Sequence, residues 1–241
     1  MLTAPLTPAD IAANAAAVRE RIAAACARAG RDPGGVTLVA VTKTHPPELV
    51  AAAAEAGLAD FGENRVQELI AKSDGVPGAT MGGAVRWHLI GHLQRNKARE
   101  AAARADLFHA LDSTRLAAAL DGAAGAAGRV LDCLVQVNVS GEGSKSGVAP
   151  DEAHALVGEA SAFSHLRVVG LMTLAAPVEG ADELERVVRP QFQLLRRLAE
   201  TYRGGARLDV LSMGMSGDFE VAVEEGATHV RVGSALFGAR P

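Results

Sequence analysis

Covalent chemistry on a carbonyl needs an amine that can lose its proton, and Lys43 is the best-placed amine in this sequence. It directly follows the apolar, β-branched stretch VTLVAVT at 36–42 and precedes Thr44, His45, Pro46 and Pro47. An ammonium at the end of an apolar strand is poorly hydrated, so its pKa falls and the neutral amine can attack an aldehyde. A lysine that lays its stem on the strand end and keeps its head in water fits the same position.

Two glycine-bearing segments, SMGMS at 212–216 and RVGSA at 231–235, have the composition of a phosphate cradle. Small residues let backbone N–H groups approach phosphate oxygens, and the hydroxyls of Ser212 and Ser234 add donors. Glycines that merely turn the chain would look alike. Arg231 stands two residues before Gly233, so both face the same side of a strand. An inward arginine needs an acceptor: a ring nitrogen would serve, and so would a carboxylate such as Glu63. A lysine nucleophile beside a phosphate site suggests one ligand, an aldehyde with a phosphate handle, and pyridoxal 5′-phosphate (PLP) is the obvious candidate.

Weaker motifs surround these. The loop GEGSKSG at 141–147 fits neither Walker A nor GxGxxG spacing and reads as a mobile loop at the active face. His88 and His92 are four apart, but on a strand and its loop, which argues against zinc. The basic start QRNKAR at 94–99 reads as a solvated helix face or an anion site.

The elements that must position these groups follow from periodicity. Thr7-Pro8-Ala9-Asp10 caps an opening helix whose apolar residues Ile11, Ala15, Val18 and Ile22 recur at helical spacing, and Gly30 ends it. Strands are expected at 36–42, 59–62, 86–91, 107–111, 129–139, 166–172, 208–212 and 228–233. Helices fall between them at 46–56, 64–73, 94–105, 113–125, 150–161, 181–202 and 218–225, with Pro190 expected to kink or split the long one. Strands separated by helices pair in parallel, and a count of eight implies a closed (β/α)8 TIM barrel, with an extra N-terminal helix, over 1–241 as one domain. An open doubly wound sheet is the alternative, but no GxGxxG follows the first strand. In a barrel the chemistry sits at the C-terminal strand ends, which is where Lys43, Asn64, Ser212, Gly233 and Ser234 fall.

Composition narrows the class. The 241 residues carry a net charge of −4, 49% hydrophobic and 22% charged residues, which excludes disorder and no longer favours nucleic acid as a partner. Cys26 and Cys133 are far apart and outside any CxxC, which fits a reducing, cytoplasmic setting. The N-terminus lacks the pattern of a signal peptide, and no apolar run is long enough to span a bilayer, so no membrane partner is expected.

Taken together, AVTKT at 40–44, FGENRVQE at 61–68, WHLIGHLQRNK at 87–97, VNVS at 137–140, SKSG at 144–147, GLM at 170–172, LSMGMS at 211–216 and VRVGSALFGAR at 230–240 resemble the PLP-binding homeostasis protein family. The resemblance runs over nearly the whole chain. It implies a fold-type III, alanine-racemase-like barrel with PLP covalently on Lys43. It implies cofactor contacts from Lys43, Asn64, His88, Ser212, Met213, Gly214, Arg231, Gly233 and Ser234, with Arg231 facing the pyridine nitrogen. Arg65 stands where many relatives have tyrosine, and Ser234 where many have threonine. The implied role is non-catalytic: holding, buffering or delivering PLP, with effects on amino-acid and keto-acid balance and transient contact with apo PLP enzymes.

Physical reasoning on the residues agrees. A racemase of this type needs a second base from another domain, and the barrel uses the chain. An arginine at the ring nitrogen disfavours its protonation and weakens the electron sink. A slow PLP-dependent racemase or lyase, a cofactor-free Schiff-base aldolase and a partner-binding scaffold stay open on these grounds. Without an arm domain, a monomer is expected.

Overall fold

The computed structural model describes residues 6–76, 78–80, 83–142 and 146–238. Residues 1–5, 143–145 and 239–241, which entered the readings of the N-terminus, the glycine loop and the last motif, lie outside the described residues, as do 77 and 81–82.

Eight parallel strands close into a barrel: β1 (Thr37–Val41), β2 (Asp60–Glu63), β3 (Arg86–Leu89), β4 (Leu107–Leu111), β5 (Leu131–Gln136), β6 (Leu166–Met172), β7 (Val210–Ser212) and β8 (His229–Val232). Each pairs with its sequence neighbours, and β1 meets β8 with Thr37 opposite His229 and Ala40 opposite Val232. The β/α alternation read from the sequence therefore gives the expected closed barrel.

The helices are α1 (Pro8–Arg28), α2 (Pro47–Glu55), α3 (Val66–Ser73), α4 (Ala98–Arg104), α5 (Thr114–Ala126), α6 (Ala153–Ser161), α7 (Arg189–Thr201), α8 (Phe219–Glu224) and α9 (Ser234–Phe237). Thr7 and Asp10 form a capping box at the start of α1, and Ile11, Ala15, Val18 and Ile22 are its buried face. That helix packs against α2, α8 and α9 and so fills the eighth place in the outer ring. Asn14 donates to the Leu236 carbonyl at 2.9 Å, Arg28 pairs with Glu224 at 2.6 Å, and the Arg21 guanidinium lies 4.4 Å over the Phe219 ring. One-turn α9 cannot cover that sector, so the helix that precedes β1 does.

Most ends fall within three residues of the sequence reading, and three elements differ in kind. β5 ends at Gln136 rather than 139, because Val137 leaves the ladder to bridge Val148 as the following loop folds back. The 94–105 helix opens with a 3-10 turn, Arg95–Lys97, before α4. The 181–202 stretch is neither kinked nor split at Pro190 itself. A π turn, Leu184–Val188, precedes α7, and Pro190 sits in the first turn of α7, where its missing N–H costs little. A short antiparallel pair, Ala79–Thr80 with Gly83–Ala84, was not foreseen.

Gly170 fixes the approach of β6 to β7. A Cβ there would lie 1.8 Å from the Val210 carbonyl oxygen. Gly170→Ala is expected to destabilise the fold by about 3 kcal/mol or more, as overpacking against backbone does. Urea unfolding measures this, and a loss below about 0.5 kcal/mol would mean the two strands part freely.

Candidate functional site

A cleft of about 690 Å³ opens at the C-terminal ends of the strands, a size that suits a small cofactor. Lys43 enters it after β1, Asn64 after β2, Gly91 and His92 after β3, Ser216 and Asp218 after β7, and Arg231, Gly233 and Ser234 from β8 and beyond. Five of the nine residues singled out in the sequence, Lys43, Asn64, Arg231, Gly233 and Ser234, therefore share one cleft. His88, Ser212, Met213 and Gly214 do not line it.

The last two strand ends build a small polar cradle. The N–H groups of Gly233 and Ala235 both donate to the Ser216 hydroxyl oxygen, at 3.3 and 3.4 Å. A Cβ on Gly233 would meet the Val41 carbonyl oxygen at 3.3 Å, so a small residue keeps this corner open. Gly214 has φ +93°, and a Cβ on it would meet the Ala222 Cβ at 2.6 Å. That left-handed turn, packed on α8, swings the chain so that Ser216 reaches the end of β8. Met213 is wholly buried behind the turn. Ser216 lines the cleft, whereas Ser212, the serine chosen from the sequence, does not. The second hydroxyl of SMGMS was the available signal. Burial pushes the Asp218 carboxyl up, against the Met215 N–H and the Arg231 charge.

Arg231 is nearly fully buried, and burial lowers its pKa to about 10, with the Asp218 charge acting the other way. Its Nη1 donates to Ser212 Oγ at 2.5 Å and its Nη2 to the Thr173 carbonyl at 2.8 Å. Glu63 is not its partner, because that carboxylate pairs with Lys72 at 2.7 Å. Period-two alternation explains the difference: Phe61 and Glu63 face the helices, whereas Asp60 faces the barrel interior.

Below Arg231 a chain of hydrogen bonds runs down the barrel. Ser212 Oγ lies 2.9 Å from His109 Nδ1, His109 Nε2 lies 2.9 Å from His88 Nδ1, and His88 Nε2 lies 2.9 Å from Asp60 Oδ1. The charged ends fix the donors of the two outer links. Arg231 donates to Ser212, and His88 donates to the Asp60 carboxylate. Burial, with the nearby His88 and Arg231, holds His109 well below the usual histidine range. Burial alone would raise Asp60, but the His88 bond and charge with Arg86 bring it below its usual value. His88 therefore sits deep in the barrel, three bonds from Arg231, and not at the mouth. The sequence signal for this chain was faint: single polar residues inside strands that otherwise read as apolar.

The remaining motifs resolve simply. His92 bonds Asp112 at 3.1 Å, away from His88, and among the described residues no three His, Cys, Asp or Glu side chains are grouped to hold a metal ion. Cys26 and Cys133 are buried free thiols. Of the 141–147 loop, Ser146 lines the cleft, and its carbonyl accepts from Gln136 at 2.9 Å. Arg65 is exposed at the N-cap of α3. Among the described residues, no helix is long and apolar enough to cross a membrane.

The cleft is lined by an amine, a glycine turn with two serine hydroxyls and a buried guanidinium, groups that could hold an aldehyde, a phosphate and a ring nitrogen. Known proteins carry the same arrangement of chain. Residues 13–241 match the family model for the alanine racemase N-terminal domain. The pyridoxal phosphate homeostasis protein of Escherichia coli K12 is 41% identical over 235 residues, covering 96% of this chain and 97% of that one. PipY of Synechococcus elongatus PCC7942, in its structure with PLP bound, is 36% identical with a TM-score of 0.77, covering 95% of this chain and all of that one. The alanine racemase of Corynebacterium glutamicum, 18% identical, has the same fold with a TM-score of 0.74 over 98% of this chain and 62% of its own.

Proposed function

Because the chain belongs to the pyridoxal phosphate homeostasis protein family, we propose that it is a non-catalytic holder of PLP in vitamin B6 homeostasis, carrying PLP as a Schiff base on Lys43 and buffering or delivering it. The observation that carries the reading is the gathering of Lys43, Arg231, Gly233 and Ser234 around one cleft. PLP supplies an aldehyde, which condenses with a primary amine and releases water, and an electron-withdrawing ring.

Each residue then has a duty. Lys43 provides the amine. The Gly233 and Ala235 N–H groups, with the Ser216 and Ser234 hydroxyls, hold the phosphate. Asn64 lies against the ring. Arg231, anchored on Ser212 and Thr173, turns the rest of its guanidinium to the ring nitrogen. At a pKa of about 10 it stays cationic near neutral pH, and a cation there opposes protonation of that nitrogen. A ring left unprotonated withdraws electrons weakly, so the site favours holding over turnover. Met213 and Gly214 shape the turn that carries Ser216, and His88 and Ser212 act through Arg231.

Attachment through a Schiff base is undone by water or by another amine, which suits a buffer whose recipients are apo PLP enzymes met transiently. In this reading the protein works in the cytoplasm as a monomer, and it alters amino-acid and keto-acid balance through the PLP enzymes it supplies.

Purified protein given PLP is expected to show a visible absorbance band that borohydride abolishes, with a pyridoxyl group on the peptide containing Lys43. No band, or label on another residue, would sink the reading. Exchange of the α-proton of a small amino acid for solvent deuterium would replace holding by slow racemase or lyase chemistry.

A further inference from the structure

We infer that Lys72, Glu68 and Glu63, none of which lines the cleft, form a positioning device that sets how fast Lys43 engages an aldehyde. The inference rests on the PLP-holding role proposed above and assigns residues that role does not use.

Lys72 lies on α3 and is almost wholly buried. All three of its N–H donors are filled, by the Thr42 carbonyl at 2.8 Å, Glu63 Oε1 at 2.7 Å and Glu68 Oε2 at 3.2 Å. The cluster reaches both neighbours of Lys43. On one side Lys72 holds the Thr42 carbonyl, and the Thr42 hydroxyl donates to Glu63 Oε1. On the other, the Thr44 N–H donates to Glu68 Oε2 at 2.8 Å. The backbone before and after Lys43 is therefore pinned from outside its own strand, by the end of β2 and by α3.

The pinning meets a strained backbone. Thr44 has φ 67°, and among the described residues it is the only non-glycine in the left-handed region. A β-branched residue adopts that conformation only where its surroundings impose it, and such residues gather at functional sites. The Glu68 carboxylate accepts the Thr44 N–H in that conformation. Burial would raise the Glu68 pKa, but the Thr44 N–H and Lys72 together bring it below the usual range. Burial pushes the Glu63 carboxyl up, and its Oε2 is buried without a partner.

A buried ion cluster is a poor way to gain stability, because apolar packing of similar volume serves as well or better. Its bonds end on the two residues that bracket the reactive lysine, which is what aiming requires. Holding an amine in a near-attack geometry raises the rate of its encounter with a bound carbonyl.

The test separates attachment from binding. Glu68→Ala removes the acceptor for Thr44 on a partly buried helix position where alanine is a good helix former, and Glu68→Gln keeps an acceptor there. Stopped-flow absorbance with PLP follows attachment to Lys43. Pyridoxine 5′-phosphate, which has no aldehyde, reports binding in the cleft alone. Glu68→Ala is expected to slow attachment about tenfold or more while changing the affinity for pyridoxine 5′-phosphate less than about twofold, and Glu68→Gln is expected to restore most of the rate. An unchanged attachment rate in Glu68→Ala would overturn the inference. So would equal losses in rate and in pyridoxine 5′-phosphate affinity, which would mark a merely structural role. A native chain that never attaches PLP at Lys43 would instead remove the proposed function, and this inference with it.

Discussion

Lys43→Ala protein is expected to bind PLP with no borohydride-sensitive band and at least about a hundredfold more weakly than the native chain, a loss of about 2.7 kcal/mol or more. Among the described residues lining the cleft, Lys43 is the only primary amine, so no neighbour can replace it. The cradle of Gly233, Ala235 and Ser216 and the Arg231 guanidinium remain in the variant, so weak, rapidly reversible binding should persist. Lys43→Arg should behave like the alanine variant, because a guanidinium stays protonated and does not condense with an aldehyde under these conditions. Equilibrium dialysis with spectroscopy checks both. A Lys43→Ala protein that still fixes PLP irreversibly under borohydride would place the covalent site elsewhere.

The second large effect is acid sensitivity of the fold itself. His109 and His229 are both buried in the barrel interior, within ring contact of His88. Burial, aided by the His88 charge, lowers His229 to about 3 and holds His109 well below its usual range. The unfolded chain binds protons at both near pH 6.5, so the unfolded state gains protons first. Stability is full above about pH 6.5 and falls with pH until the folded-state values are reached. From pH 7 to 5 His229 alone removes about 2 kcal/mol, a sizeable share of the stability of an ordinary domain, and His109 adds a loss of the same sign. Asp60, lowered in the fold, adds its own loss only further down, as pH drops through the carboxylate range. Urea unfolding at pH 7, 6 and 5 measures the slope. A flat profile would mean the interior takes up protons as readily as the unfolded chain.

What the sequence made legible was set by what periodicity can encode. Alternating β-branched and helical stretches are local, so the eight strands and their order could be counted. Lys43 stood out because it follows an apolar strand with nothing between. The contacts across the barrel had no such signature. Choosing Glu63 as a partner for Arg231 required knowing which face of β2 it occupies, and that face is fixed by Phe61 packing on Trp87 beneath the helices. Ser216 needed the direction of the turn at Gly214, which depends on its packing against α8. The Asp60–His88–His109–Ser212 chain joins four strands, and nothing within one strand marks its polar residue as one link of four.

The packing of α1 has a consequence in time. Its partners Glu220, Glu224 and Leu236 lie 199, 196 and 222 residues from Arg21, Arg28 and Asn14. During synthesis α1 leaves the ribosome long before the surface that receives it, which is completed only when β8 and α9 emerge. Until then the stripe of Ile11, Ala15, Val18 and Ile22 has only α2 to pack against, and the loop to be closed spans most of the chain. Barrel closure is therefore the late event of folding, and a nascent chain stalled before β8 would carry its first helix exposed, a natural handle for a chaperone.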